Sequence, residues 1–347
     1  MMRLPPFRYR APRTVREATA WLAESPADTM LVAGGTDLLP NMKRRQQMPK
    51  TIVGLRGVEE LRTIGPERGH GQTRDGFRIG AGVTLTALVR DERLRAEVPG
   101  LWQAAAQVAT PHLRNMGTIG GNLCLDTRCT YYDQSYEWRQ AIGFCMKKDG
   151  QTCWVATSSP RCLAVSSTDT APMLQALGAR VRLVSVAGTR EVAVDDLFQN
   201  DGMQYLTRQP DEILTEVIVP DQAGWRSAYW KLRRRGSFDF PVASVAAAAR
   251  FDPAGRIQEV RLVAGAVASR PLVAPKAGTL LVGERLTDER IAAAAQAVCA
   301  VAKPMDNTDF ELVWRKKTVA ALASYALREL RGDDLAAMRL KIARQIV

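Results

Sequence analysis

Two kinds of residue in this chain of 347 residues could carry chemistry: paired glycines in short loops, and a crowd of thiols. The first loop is Leu31-Val32-Ala33-Gly34-Gly35-Thr36-Asp37-Leu38, and the second is Arg114-Asn115-Met116-Gly117-Thr118-Ile119-Gly120-Gly121-Asn122. Consecutive glycines let a backbone approach a diphosphate closely, and free N–H groups at a helix start suit an anion. Neither loop is the Gly-x-Gly-x-x-Gly dinucleotide fingerprint, so no Rossmann fold is predicted. Each loop taken alone also reads as an ordinary turn. Of the six cysteines, Cys124, Cys129, Cys145, Cys153 and Cys162 fall in one segment. Four thiolates can hold a zinc ion or a cubane iron–sulfur cluster. The spacing lacks the Cys-x-x-Cys knuckles of a typical zinc site. Disulfides are not expected in a reducing compartment, and the cysteine number in the segment is odd. Cys299 stands alone in an Ala-rich stretch and reads as a small buried apolar residue.

Positioning these residues requires elements on either side of them. Thr14 and Glu17 have capping-box spacing ahead of a helix through 18–23. The apolar run 29–33 predicts a buried strand ending at the Gly34-Gly35 turn, with a short helix over 38–45 beyond it. Strands are expected at 51–55 and 77–82, and a mostly helical stretch over 84–109 that breaks near Pro99-Gly100. From Thr110 to Asp169 the regular pattern fails, and an irregular segment of that length inside a compact protein is usually functional or disordered. Its aromatics and cysteines argue against disorder. Regularity returns with a helix over 171–177 closed by Gly178, then strands at 180–186, 190–194 and 212–219. Pro220 to Gly224 reads as a boundary. Strands follow at 228–232, 241–251 and 256–267, and then helices, the clearest over 311–330.

The formal net charge is +12, which raises nucleic-acid binding as a class. Lys and Arg are spread along the whole chain, however. The densest run, Lys231 to Arg235, has little aromatic interleaving, so a basic surface meeting acidic partners is the expectation, with no nucleic-acid role. No apolar run reaches the roughly 18–20 residues of a membrane helix. Residues 1–13 lack the apolar core of a secretory signal, so a cytoplasmic location is expected.

Taken together, the two glycine loops resemble those of the FAD-binding subunits of the xanthine dehydrogenase and carbon monoxide dehydrogenase family, the molybdenum hydroxylases. The similarity extends to Ser167-Thr168-Asp169 before a helix, to Asp211-Glu212-Ile213-Leu214 leading to Pro220, and to Lys231 followed by Asp239-Phe240. The resemblance implies an α+β fold of the vanillyl-alcohol-oxidase type. FAD would lie between two α/β subdomains (1–57 and 58–223), and a smaller α+β domain would occupy 224–347. It implies that Leu31, Val32, Ala33, Gly34, Gly35, Thr36, Asp37 and Leu38, with Thr118, Gly120, Gly121 and Asn122, wrap the diphosphate and ribityl chain of FAD. It also implies that Val108, Asp169, Leu214 and Lys231 line the cofactor's remaining sides. Asp169 also reads as a helix N-cap, and Lys231 as one more surface cation.

In that family a much shorter segment joins the Gly-Gly-Asn loop to the residue corresponding to Asp169. The extra segment here, about 123–166, is expected to carry a 4Fe–4S cluster on Cys129, Cys145, Cys153 and Cys162, with Cys124 in place of Cys129 as the second choice. The run Asp126-Thr127-Arg128-Cys129, with Cys145-Met146-Lys147-Lys148 and Cys153-Trp154, is similar to the beta subunits of 4-hydroxybenzoyl-CoA reductases. Bacterial molybdenum aldehyde oxidoreductases share the Thr-Arg-Cys element and are the main alternative. By resemblance the partners are a molybdopterin-binding large subunit and a small subunit with two 2Fe–2S clusters, in a dimer of heterotrimers, with ferredoxin as electron donor in the reductase reading. The subunit itself would touch no organic substrate. Two further classes are a zinc-stabilised scaffold and a stand-alone flavin oxidase with a covalent anchor. His70 and His112 leave little room for the latter.

Overall fold

The computed structural model describes residues 3–67 and 76–342; His70 lies outside them. Among the described residues the strands form three sheets. The first is small and parallel. β1 (Arg8–Arg10), α1 (Val15–Glu24), β2 (Thr29–Val32), α2 (Leu38–Lys43) and β3 (Thr51–Gly54) place β3 between β1 and β2. Successive strand residues point to opposite faces. Accordingly Val53 packs with Ala18 and Leu22 of α1, whereas Ile52 packs with Leu38 and Met42 of α2. The Thr14 side chain caps α1, accepting from the Glu17 N–H at 3.1 Å.

The second sheet is antiparallel, in the order β4 (Ile64–Glu67), β5 (Gly76–Gly80), β8 (Ile213–Val219), β6 (Arg180–Ser185), β7 (Gly188–Ala193). Between β5 and β6 the chain makes α3 (Leu85–Arg90), α4 (Glu92–Glu97), α5 (Pro99–Ala106), α6 (Pro111–Arg114), α7 (Ile119–Leu123), α8 (Tyr136–Ala141) and α9 (Thr170–Ala176). The helical stretch expected over 84–109 breaks twice. Besides Pro99 there is a stop at Asp91, whose carboxylate accepts from the Leu94 N–H and starts α4. The segment 110–169 was expected to be irregular, yet it holds three short helices. Each starts at a hydroxyl residue (Thr110, Thr118 or Ser135) whose side chain accepts from the N–H three residues on. Their shortness hid them, because fewer than two turns show no periodicity. Gly178 closes α9 with φ +70°.

The third sheet runs β12 (Leu272–Val273), β11 (Ile257–Gly265), β10 (Ala243–Phe251), β9 (Trp225–Leu232). Its centre explains the alanines. Ala243, Val245, Ala247 and Ala249 face α10 (Pro275–Leu281), α11 (Asp288–Val301) and α12 (Leu312–Arg331), while Ala246 and Ala248 face the core containing α5 and α9. A strand covered on both faces needs small side chains where helices approach closely. The last helix described is α13 (Ala336–Ile342). Cys299 is only half-buried, its thiol 3.3 Å from the Lys316 carbonyl. Lys231 is no surface cation; it is wholly buried on β9.

Candidate functional site

A cavity of about 510 Å³ opens between the parallel sheet and the antiparallel second sheet. All eight residues from Leu31 to Leu38 line it, as do Val108, Thr118, Gly120, Gly121, Asn122, Asp169 and Leu214. The first glycine loop leaves β2, turns at Gly35 with φ +72°, and enters α2. A Cβ on Gly34 would stand 2.0 Å from the Met116 carbonyl oxygen, so the two glycine loops meet backbone to backbone. Gly120 is pressed in the same way against Ala81, 2.6 Å from where its own Cβ would be. Arg44, Arg56, Arg62 and Arg208 also line the cavity. The buried Ser167 hydroxyl lines it without a partner among the described residues. Close-approaching glycine backbone, cations for a diphosphate and an unsatisfied buried hydroxyl together suit a large, polar-tailed cofactor such as FAD.

Asn122 and Asp169 divide the work at the start of α9. The Asn122 side-chain oxygen accepts from Thr168 Oγ1 at 2.8 Å, Thr170 Oγ1 at 2.7 Å and the Thr170 N–H at 3.1 Å. Asp169 occupies the N-cap position but makes no side-chain cap bond. Its carboxylate instead accepts from Lys231 Nζ at 2.9 Å and Tyr229 Oη at 2.8 Å. Lys231 Nζ also donates to the Gln107 carbonyl at 3.0 Å. Burial pushes the Asp169 carboxyl up and the Lys231 ammonium down, and each restrains the other. Of the expected cofactor residues, Lys231 is the one that does not line the cavity; it stands behind Asp169 and fixes its orientation.

Cys129, Cys145, Cys153 and Cys162 are all buried and line one small pocket together with Tyr131, Met146, Lys147, Trp154, Val155 and Ala164. Cys124 lies elsewhere, on the wall of the large cavity. The geometry thus brings together the first-choice cysteine set and leaves Cys124 out. Burial pushes the Cys129 thiol up to about 12 and the Cys162 thiol up to about 11. Among the described residues no three His, Cys, Asp or Glu side chains are drawn together to hold a single metal ion. The pocket is shaped by main-chain turns. Phe144 and Asp149 take positive φ on either side of Cys145, and the Gly150 N–H donates back to the Cys145 carbonyl at 3.1 Å. Trp154 Nε1 donates to the Phe144 carbonyl at 2.5 Å. Gly202 closes the far side: its N–H donates to the Cys162 carbonyl, and a Cβ there would lie 2.7 Å from the Cys162 sulfur.

The residues joining the two cavities carried no assigned role in the sequence. Arg128 ion-pairs with Asp37 of the first glycine loop and lies 4.5 Å over the Phe240 ring. Burial pushes the Asp37 carboxyl up, and the Arg128 charge opposes that. Asp126 lines the large cavity and pairs at 2.8 Å with Lys147, which lines the cysteine pocket. The signal for Asp126 and Arg128 was their place in the run before Cys129; nothing marked Lys147 beyond its nearness to Cys145.

The model for the FAD binding domain in molybdopterin dehydrogenase matches residues 5–222, and that for the CO dehydrogenase flavoprotein C-terminal domain matches 227–330. The chain belongs to the FAD-binding medium subunits of the molybdenum hydroxylase family. It is 30% identical to the nicotinate dehydrogenase FAD-subunit of Eubacterium barkeri, over 90% of this chain and 92% of that one. It is 29% identical to the aldehyde oxidoreductase FAD-binding subunit PaoB of Escherichia coli, over 92% and 98%. Among solved structures, carbon monoxide dehydrogenase from Hydrogenophaga pseudoflava superposes with a TM-score of 0.76 at 28% identity, covering 94% of this chain and 98% of that one. This mixed α/β subunit is therefore an FAD-binding part of an oxidoreductase. No helix among its described residues is long and apolar enough to cross a membrane.

Proposed function

We propose that this subunit is the electron-relay component of a molybdenum aldehyde oxidoreductase, carrying FAD in the large cavity and a 4Fe–4S cluster in the cysteine pocket. The observation that carries the reading is the pairing of an FAD-family cavity with four buried cysteines lining one pocket beside it. The aldehyde assignment draws on the near full-length match to the aldehyde oxidoreductase subunit of Escherichia coli. The 4-hydroxybenzoyl-CoA reductase reading stands second, supported by the cysteine run and the +12 charge, which suits an acidic donor such as ferredoxin.

In this reading the loops 31–38 and 118–122 hold the diphosphate and ribityl chain through backbone N–H groups. Asp169, fixed by Lys231 and Tyr229, presents an acceptor to the cofactor, and Val108 and Leu214 supply apolar contact. Bound flavin supplies exchange between two-electron and one-electron chemistry, and the cluster supplies one-electron storage. The protein's part is to place both, keep water from them and set the charges around them. The proposed partners, supported by likeness to the family, are a molybdopterin-binding large subunit, which would hold the substrate site, and a small subunit with two 2Fe–2S clusters, in a dimer of heterotrimers. We place the divisions of the chain near 57/58 and 223/224.

Cofactor analysis of the purified complex tests this. Flavin released on denaturation, with eight iron and eight sulfide per heterotrimer (four of each beyond the two 2Fe–2S clusters of the small subunit) and no zinc, is the expected result. FAD with only the four iron of the small subunit would remove the cluster. Aldehyde-dependent reduction of a dye by the complex supports the first substrate reading. Activity only on 4-hydroxybenzoyl-CoA, with a reduced low-potential donor, replaces it with the second.

A further inference from the structure

The ion pair Asp126–Lys147 sits in the wall between the two cavities, with its carboxylate end on the flavin side and its ammonium end on the cysteine side. The side chains are only 7% and 6% exposed. Lys147 Nζ donates to Asp126 Oδ1 at 2.8 Å, to Thr127 Oγ1 at 2.7 Å and to the Gly202 carbonyl at 2.7 Å, so all three of its protons are committed. The ammonium also lies 5.0 Å from the Tyr132 ring centre and 5.5 Å from that of Tyr205. Asp126 is satisfied in turn by the Thr127 N–H at 2.8 Å, Gln47 Nε2 at 3.2 Å and Tyr132 Oη at 3.3 Å. Neither charge can rotate away or swap ends.

A buried ion pair is seldom the most stable filling of a protein interior; apolar residues of similar volume often serve as well or better. A fully satisfied pair held in one orientation between two sites therefore points to a use for its field. Charges inside a protein act on one another through a low dielectric and are little screened by salt. The neighbouring cation Arg128 is offset by its own partners Asp37 and Asp133.

We propose that Asp126 and Lys147 are positioning residues forming a fixed dipole across this wall. The dipole stabilises an added electron on the cysteine-pocket side and disfavours it on the flavin side. The inference rests on the proposed placement of the two redox groups. When one electron leaves one group and enters the other, the electron count closes between the two, and the dipole acts on the difference between their reduction potentials.

The test uses the purified complex with the double variant Asp126→Asn and Lys147→Met, which removes the dipole at constant net charge. Redox titrations follow the cluster by electron paramagnetic resonance and the flavin by visible absorbance. The expected result is a cluster potential that falls and a flavin potential that rises. The electron distribution between them should change by at least about tenfold, which is about 59 mV for one electron. Unchanged potentials at wild-type iron and FAD content overturn the proposal. If the double variant loses iron, Lys147→Met alone is read at the flavin. Its potential falls if the ammonium acts through its field; if it stays where it was, the pair is only structural. If the wild-type complex itself holds no iron beyond the four of the small subunit, the cluster assignment fails separately. The dipole is then judged on the flavin potential of the double variant, where a rise supports it and no change overturns it.

Discussion

Around the larger cavity much of the functional surface is backbone: Gly34, Gly35, Gly117, Gly120 and Gly121 leave main-chain atoms open to a cofactor, and strand and helix ends hold them in place. Around the smaller pocket it is side chains, four sulfurs with a lysine and a tryptophan, carried on a segment whose turns are fixed mainly by local hydrogen bonds. The first site belongs to the packed core, since Ile119, Leu123 and Leu214 join the main hydrophobic cluster. The second has its own small cluster of Cys129, Tyr132, Cys145, Cys162 and Ala164. The contrast teaches that the two sites should fail independently: one to added bulk on a glycine, the other to loss of a side chain.

The largest effect is expected from Gly34→Val. The added side chain must enter the Met116 carbonyl, separating the glycine loops, and FAD content measured by absorbance should fall to near zero. Full FAD occupancy would show that the loops are not the diphosphate cradle. Cys145→Ser comes next. Four iron per chain should be lost while flavin stays near one per chain, and loss of both together would break the claimed independence. Lys231→Met leaves the Asp169 carboxylate buried without its cation. Breaking such a pair costs about 3–5 kcal/mol, to be read in denaturant unfolding, with weakened FAD binding and unchanged iron. The smallest effect belongs to a control remote from both sites. The Arg182 hydrogen bond holds Glu191 below the usual carboxylate range. A lowered folded-state pKa means that this contribution is present above the ordinary carboxylate pKa of about 4.3 and is lost as pH falls through the folded value. Glu191→Gln should therefore cost less than about 1 kcal/mol at neutral pH and nothing in strong acid, with flavin and iron unaltered.

Much of the fold was legible because its signals are local. An apolar run before Gly34-Gly35 marks β2, alternating periods separate the strands from α12, and the two glycine loops in their order identify the family. Lys231 shows where local reading ends. In a run with Arg233, Arg234 and Arg235 it looks like a surface cation, and only the pairing of β9 with β10 turns it inward onto Asp169. The same holds for Asp169, whose N-cap position was readable, whereas its partners Tyr229 and Lys231, both distant in sequence, were not.

Residue types and their order set the chemistry available: glycines for close backbone approach, five thiols in one segment, and a succession of motifs that belongs to one family. The packed structure chose between the two cysteine sets that the segment offered, turned Cys124 to the other cavity, and matched each carboxylate to its ammonium. Residue types and spacings are properties of the chain and can be read along it. The partner of a buried charge is set by packing between segments far apart in sequence, and no local pattern encodes it.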